Sequence, residues 1–297
     1  MYRLTVLAAA VLAACTANVD VITLDDDIGN EPREVLAAPG DTIQFRDIEL
    51  VVPEEVGDGV GFVAELDDGW LEVSLENRGD GVAMIHVTSE AVSLEDGTEP
   101  TTTELVNPAC TDGANTIHGR KWKSTYRWQL SSAYSPTAAF EAMVIRGANN
   151  IVTSRNDCGL ADSVSASHVF VGRTSGGTAI SSAGGCGGRD GKNVVGLGAL
   201  TSYKAYTCWY WDSTGTLIEA DIKFRSAENW ITTTSIPAGC TGRLHLESVA
   251  THEFGHVFGL LHPSGNHPAL TMQAGGTCSA SKATLGLGDV RGLRQLY

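Results

Sequence analysis

The sequence has 297 residues, of which 42% are apolar and 19% charged, and this composition excludes a wholly disordered chain. Its net charge of -15 is unevenly distributed, because residues 16–105 carry 23 acidic residues against three arginines, while residues 106–297 carry 12 acidic and 16 basic residues. Neither part has a basic stripe that could follow phosphates, which argues against nucleic acid as a partner. The charge asymmetry predicts two units with different roles.

Residues 1–15 have the features of an export signal. Arg3 gives a positive start, and the apolar run over 4–14, too short to span a bilayer as a helix, ends at Cys15. The run Leu12-Ala13-Ala14-Cys15 resembles the lipobox of bacterial lipoproteins, which implies that 1–15 is a lipoprotein signal peptide and that Cys15 is lipidated. An ordinary secretory signal cleaved nearby is the alternative. The protein is therefore expected on the outer face of a membrane, anchored only through lipid, or secreted if the lipobox is not used.

The cysteine count agrees with export. The sequence has seven cysteines, and assigning Cys15 to lipid leaves an even number in the second part of the chain. None of the six is spaced like a zinc ribbon, so we expect three disulfides formed in an oxidising compartment, with a pairing that the sequence does not reveal. The disulfide candidates are Cys110, Cys158, Cys186, Cys208, Cys240 and Cys278.

The first part of the chain is predicted to be a tether, a small module and a linker. Residues 16–30 are polar and acidic and are expected to act as the tether. Residues 31–92 contain short runs of period-two alternation separated by Gly-Asp and Asp-Gly pairs, such as 42–45, 70–75 and 82–87, which is typical of half-buried strands. We therefore predict a small acidic, all-β, sandwich-like module. Residues 93–108, rich in Thr, Glu and Pro, are the predicted linker.

The second part, 109–297, has a mixed α+β pattern. Strands are predicted near 126–130, 169–171 and 194–197, and a helix over 138–152. Residues 175–192 are so rich in Gly and Ser that a loop is expected. Two apolar runs, 205–211 and 217–224, flank the turn residues 212–215 and predict a hairpin.

One segment indicates a metal site. In a helix, His252 and His256 lie on the same face and can offer two imidazoles to one ion, while Glu253 projects beside the ion and can accept a proton from water. Gly259 permits the left-handed conformation that ends a helix and returns the chain, which lets His262 approach as the third ligand. Three histidines with an open position are typical of a catalytic zinc site.

This extended motif resembles that of the metzincins, and residues 122–297 resemble their matrixin branch. The resemblance also depends on Glu219-Ala220-Asp221-Ile222-Lys223-Phe224, on 288–297, and on Met272, which looks like the methionine of the turn beneath the zinc. It implies a metzincin-like catalytic domain over 109–297, with a twisted sheet, an active-site helix and one catalytic zinc. Calcium is not indicated by the sequence.

The sequence departs from the matrixin pattern in several places. Pro263 follows the third histidine, where matrixins often have a small hydroxyl residue. The pattern of a second, structural zinc has no match, and no cysteine lies between Cys15 and Cys110, so a matrixin-type cysteine switch is not expected. The other histidines are interpreted as structural or exposed: His86, His118, His168, His245 and His267.

The predicted function is zinc-dependent hydrolysis of peptide bonds, with Glu253 as general base. The resemblance implies a substrate bound as an extended strand along a sheet edge near 203–211. The aromatic residues of that edge could line the cleft or pack against the sheet. Two alternatives stay open: a metal-binding pseudoenzyme or adhesion lipoprotein, and a zinc hydrolase acting on a non-peptide bond. The sequence gives no oligomeric state.

Overall fold

A computed structural model describes residues 20–24, 31–66, 69–91, 107–273 and 275–297. The predicted signal peptide with Cys15, most of the tether and nearly all of the linker lie outside these ranges, so these segments stay predictions. Within the described ranges, no helix is both long and apolar enough to cross a bilayer.

The described residues form fifteen strands, three α-helices and two short 3-10 helices. The strands are β1 (Val21–Leu24), β2 (Arg33–Leu36), β3 (Thr42–Phe45), β4 (Ile48–Val51), β5 (Gly59–Glu65), β6 (Gly69–Gly79), β7 (Val82–Ala91), β8 (Thr116–Ile117), β9 (Tyr126–Ser131), β10 (His168–Thr174), β11 (Gly185–Cys186), β12 (Val194–Gly198), β13 (Ala205–Trp211), β14 (Leu217–Arg225) and β15 (Leu260–Leu261). The α-helices are α1 (Ala138–Val152), α2 (Leu246–Val257) and α3 (Leu287–Leu296).

Nine strands from both parts of the chain form one sheet, in the order β10-β9-β12-β14-β13-β5-β6-β7-β2. The pairs from β10 to β14 are parallel, and all pairs from β14 to β2 are antiparallel. A second sheet has the order β1-β3-β4-β11. The mixed α+β class predicted from the sequence is confirmed.

The separate sandwich-like module predicted for 31–92 is not confirmed. Its strands form where alternation predicted them, but β2, β5, β6 and β7 continue the sheet of the second part. The register pairs Gly59 with Trp211 and Ala64 with Tyr206. A shared apolar core joins the two parts, with Phe62 and Val73 packed beside Tyr206. Periodicity shows which face of a strand is buried, but not which strand lies next to it.

The predicted elements of the second part are confirmed. Helix α1 occupies the predicted range and begins at Thr137, whose hydroxyl accepts the Phe140 N–H at 3.1 Å. The hairpin of β13 and β14 forms as expected. The glycine-rich segment 175–192 is loop except for the short strand β11. These elements were predicted correctly because their signals are local: the spacing of apolar residues and the residues of turns.

Helices α1 and α2 pack on the sheet and against each other at short distance. A Cβ on Gly147 of α1 would lie 2.6 Å from the Ala250 Cβ of α2, so only glycine permits this crossing distance. Buried Glu247 of α2 accepts from Arg146 at 2.7 Å and from Arg155 at 3.0 Å. The helix that carries the metal motif is therefore fixed against both the sheet and its neighbouring helix.

All six predicted disulfide candidates are paired. The disulfides join Cys110 to Cys158, Cys186 to Cys208, and Cys240 to Cys278. The second of these ties the short strand β11 to β13, an interior strand of the nine-stranded sheet.

Candidate metal centre

Helix α2 and the turn after it bring the three predicted ligands together. The helix ends at Phe258, and Gly259 takes the left-handed conformation with a φ of +94°. Any Cβ there would also lie 2.7 Å from the Arg120 carbonyl oxygen, so the position requires glycine. Strand β15 then pairs with β8 and places His262 opposite the helix. Gly259 thus ends the helix and returns the chain toward His262.

The three imidazoles converge through their Nε2 atoms. Nε2 of His252 lies 3.0 Å from Nε2 of His256 and 3.0 Å from Nε2 of His262. All three residues are buried, with exposed fractions of 5%, 0% and 3%. Such a cluster in the interior excludes water from most of the site.

Backbone carbonyls set the orientation of two of these rings. Nδ1 of His252 donates to the Thr271 carbonyl at 2.7 Å, and Nδ1 of His256 donates to the Leu260 carbonyl at 2.9 Å. A carbonyl only accepts, so the ring proton lies on Nδ1 and the Nε2 lone pair faces the centre. Nδ1 of His262 has no partner among the described residues.

Met272 packs against helix α2. It is buried, and a Cβ on Gly255 would overlap its sulfur atom, so the methionine packs directly against the helix turn between the two ligands. The polypeptide at Thr271 and Met272 therefore forms the floor of the site.

Asp289 of α3 holds that floor, a role that sequence reasoning missed. Its buried carboxylate accepts the N–H of Thr271 at 2.9 Å, of Met272 at 3.1 Å and of Gly286 at 2.8 Å. Burial raises the pKa of Asp289, and these three N–H groups act in the opposite direction. Since the Thr271 carbonyl in turn orients His252, the carboxylate fixes a ligand through one intermediate residue. A lone aspartate in an amphipathic helix gives no sequence signal of this role.

Glu253 lies in the same buried space without joining the cluster of ligands. It is fully buried, its Oε2 accepts from the Thr207 hydroxyl of β13 at 2.5 Å, and its Oε1 has no partner among the described residues. Burial raises the pKa of Glu253 to about 8. An unpartnered carboxylate oxygen next to the histidines can take up a proton, which is the property that a general base needs.

A fourth candidate ligand, Glu65 at the end of β5, comes from the first part of the chain. Its Oε1 lies 2.8 Å from Nε2 of His262, 2.9 Å from Nε2 of His252 and 3.8 Å from Nε2 of His256. Burial opposes its charge, but His262 and His252 hold the pKa of Glu65 well below its usual range. No sequence motif identifies this residue, because it lies 187 positions before His252 in the chain.

These atoms fit a zinc ion. Within the described residues, the ligand atoms of Glu65, His252, His256 and His262 all lie within 4.8 Å of one another. Tetrahedral zinc with bonds of about 2.0 Å separates its ligands by about 3.3 Å, close to the spacings found here. Buried Nε2 lone pairs facing each other at 3.0 Å repel unless a cation lies between them. The donor set suits zinc better than oxygen-seeking calcium or magnesium.

The other five histidines lie outside this group of ligand atoms in the described part of the chain. His118 stacks on Trp209, and His168 accepts from Trp128. His245 caps α2, and His267 contacts Asp112 at 2.8 Å. His86 lies on β7. The predicted structural interpretation agrees with these positions.

The edge expected to bind substrate is already paired. Trp209 and Trp211 of β13 are buried, and their rings lie over Gly61 and Gly59 of β5. The aromatic residues therefore do lie along this edge, and in the intact chain they pack against β5.

Comparison with known proteins agrees with this geometry. The model of the peptidase family described as Matrixin matches residues 210–297, a range that includes β14, α2, the turn at Gly259, Met272 and α3. The match supports a metzincin-like protease with a zinc site. No curated protein matches the chain.

Proposed function

We propose that the protein is a zinc-dependent endopeptidase. The observation that carries this proposal is the convergence of three buried Nε2 atoms next to Glu253, a buried carboxylate with one unpartnered oxygen. The matrixin match over the same segment supports it. His252, His256 and His262 would hold one zinc ion, with the Nδ1 hydrogen bonds of the first two keeping their lone pairs toward it.

Zinc, when bound, lowers the pKa of a water and polarises the carbonyl of a peptide bond. Glu253 takes the proton of the attacking water on Oε1 and delivers it to the leaving amine. Thr207 keeps the carboxylate in place by donating to Oε2. The buried surroundings strengthen these interactions, because little water competes for the same groups.

The substrate would bind as an extended strand along β13, in the place that β5 occupies in the intact chain. A free edge strand offers main-chain hydrogen bonds to any extended peptide, while side-chain pockets give selectivity. This arrangement favours peptide bonds over the non-peptide substrates of other zinc hydrolases.

A metal-binding protein without catalytic activity is the second candidate, and Glu65 favours it. Four protein ligands close a zinc site, which is typical of structural zinc. Glu253 argues against this function, because a purely structural site has no use for a buried carboxylate with a free oxygen beside the metal.

Metal dependence of peptide cleavage tests the proposal. The zinc-loaded chain, its chelated form and the chelated form resupplied with zinc are each incubated with a mixture of unstructured peptides, and products are identified by mass spectrometry. The proposal expects internal cleavage that disappears on chelation and returns with zinc. A single variant, Glu253→Gln, serves as the control for a contaminating protease, since it keeps the shape of the side chain and removes the base.

We propose in addition that the protein is exported and anchored through lipid on Cys15. The lipobox-like sequence and the three disulfides of the second part support this. Mass spectrometry of the mature N-terminus should find an acylated Cys15, and Cys15→Ala should release the protein from membranes. An unmodified N-terminus at another residue would leave the ordinary secretory signal.

A further inference from the structure

We infer that β5 is a built-in inhibitor: it occupies the substrate edge, and its last residue, Glu65, takes the open position of the metal. The inference rests on the proposed function, because it concerns the regulation of the same site. It assigns a role to the acidic first part of the chain, and it explains how a site with catalytic groups can be closed in the intact protein.

The first line of evidence is the position of the Glu65 carboxylate. Its Oε1 is within 3 Å of the Nε2 atoms of both His252 and His262, at 2.9 and 2.8 Å. This oxygen would serve as the fourth ligand beside the three histidines. A zinc ion held by all four groups keeps no position for water, and a zinc peptidase needs that position.

The second line of evidence is the pairing of β5 with β13. The two strands are antiparallel over six residue pairs, from Gly59 opposite Trp211 to Ala64 opposite Tyr206. Val63 lies opposite Thr207, the residue that donates to Glu253. A peptide cannot hydrogen-bond to this side of β13 while β5 is there, since each backbone group makes one such ladder contact.

The third line of evidence is the fit of the side chains. A Cβ on Gly61 would lie 2.7 Å from the Trp209 ring, and a Cβ on Gly59 would overlap the Trp211 ring. Both indoles therefore need a strand with glycine at these alternate positions. Phe62, on the other face, stacks on Tyr206 with ring centroids 4.9 Å apart. The glycines of β5 lie where the indoles of β13 need space, and this complementarity indicates that β5 is adapted to pair with β13.

The following strand covers the metal centre from the same side. Trp70 of β6 lies over His262, with ring centroids 4.6 Å apart. A cavity of about 660 Å³ between β6, β7 and the second part reaches His262, which leaves the site a route for small molecules once Glu65 is removed. A small ligand can therefore be used to measure whether the metal has an open position while β5 stays in place.

No cysteine is needed for such a contact. The described residues of the first part contain none, and the carboxylate of Glu65 provides the metal ligand instead. A carboxylate ligand does not react with thiol reagents or reductants. The inhibition would therefore end only when β5 is displaced or cleaved.

The first experiment measures access to the metal in the intact chain. The cobalt-substituted protein is titrated with acetohydroxamate, a small chelating ligand, and its d–d absorption is followed. The three forms compared are wild type, Glu65→Ala and the matched control Glu34→Ala, which removes an exposed carboxylate of the same part of the chain. If Glu65 occupies the position more than about nine-tenths of the time, acetohydroxamate should bind Glu65→Ala at least about tenfold more tightly than wild type.

The second experiment displaces the strand without touching a catalytic or metal-binding group. Gly61→Val should push β5 away from Trp209 and raise cleavage of a peptide substrate by the intact chain about tenfold or more. The control Gly177→Val places the same side chain in an exposed loop, where a Cβ meets no atom within 4 Å. Zinc content and circular dichroism of both variants show whether they are folded.

The outcomes separate this inference from the proposed function. Equal acetohydroxamate binding by wild type and Glu65→Ala would overturn the inhibitor, whether or not peptides are cleaved. Tighter binding by Glu65→Ala, with no peptide cleavage by any variant, would support the contact of Glu65 with the metal and refute the endopeptidase. Should Gly61→Val fail to fold, the acetohydroxamate titration still decides the inference.

Discussion

The metal centre has two sides, here called the histidine wall and the N-terminal wall. The first carries the three histidines and the second carries Glu65, and different kinds of contact hold each of them in place. The histidine wall consists of α2, the turn at Thr271 and Met272, and Asp289, and its polar contacts come from groups within the same segment. The N-terminal wall consists of β5 and β6. It reaches the centre through edge-strand pairing, ring packing and one carboxylate.

This difference indicates which contacts around the metal a substrate or a water molecule can replace. A peptide can replace the main-chain hydrogen bonds of β5, and a water can replace the oxygen of Glu65. The histidine wall has no such substitutes: a lost hydrogen bond there leaves a buried polar group without a partner. We therefore expect changes in the histidine wall to destabilise the protein, and changes in the N-terminal wall to alter access to the site.

The largest expected loss of stability follows Asp289→Ala. Three buried N–H groups lose their acceptor, at about 1–3 kcal/mol each, so the free energy of unfolding should fall by about 3–9 kcal/mol. Zinc should also bind about 10–100-fold more weakly, because the Thr271 carbonyl no longer fixes His252. Denaturant unfolding and competition with a zinc chelator measure the two effects.

The matched control is Asp157→Ala, an exposed aspartate that accepts from the Thr284 hydroxyl. It should change the free energy of unfolding by less than about 0.5 kcal/mol. Equal effects of the two variants would contradict the special role of Asp289.

A smaller effect of unusual sign is expected for Gly255→Ala. Alanine in a helix interior normally stabilises a protein by about 1 kcal/mol relative to glycine. Here the added Cβ overlaps the Met272 sulfur, and overpacking of this kind typically costs about 1–3 kcal/mol. Thermal unfolding should therefore show a lower midpoint than wild type; a higher midpoint would mean that Met272 does not support the helix as described.

The smallest of these effects concerns Thr207, at the junction of the two walls. Thr207→Val keeps the shape of the side chain and removes the hydrogen bond to Glu253. If that bond positions the base, kcat should fall about tenfold, as expected for about 1.4 kcal/mol, with KM unchanged. Measurements in the Glu65→Ala/Gly61→Val background remove the contact of Glu65 with the metal and displace β5 from the substrate edge. A rise in KM with constant kcat would instead assign Thr207 to substrate binding.

The histidine wall could be predicted from the sequence because its signals are local. The three histidines His252, His256 and His262 and the turn residue Gly259 all lie within eleven consecutive residues. Met272 was found by its distance downstream. The helix over 138–152 was predicted from the spacing of its apolar residues, and the hairpin around 212–215 from its turn residues.

The N-terminal wall could not be predicted, because strand pairing between distant segments leaves no periodic signal. Alternation located β5 but did not show that β13 is its neighbour, so the first part was expected to form a sheet of its own. Glu65 looked like one of many acidic residues in that part. A hint was present in Gly59 and Gly61, since glycines inside a strand often mark close approach of another group.

The most direct test of the account compares two carboxylates that are assigned opposite effects. Peptide cleavage and zinc content are measured on the same samples of the intact wild type, Glu65→Ala and the double variant Glu65→Ala/Glu253→Gln. We predict equal zinc in all three, higher activity in Glu65→Ala than in wild type, and about 10²–10⁴-fold lower activity in the double variant than in Glu65→Ala. Equal activity of Glu65→Ala and the double variant, with equal zinc, would contradict the assignment of Glu253 as the base.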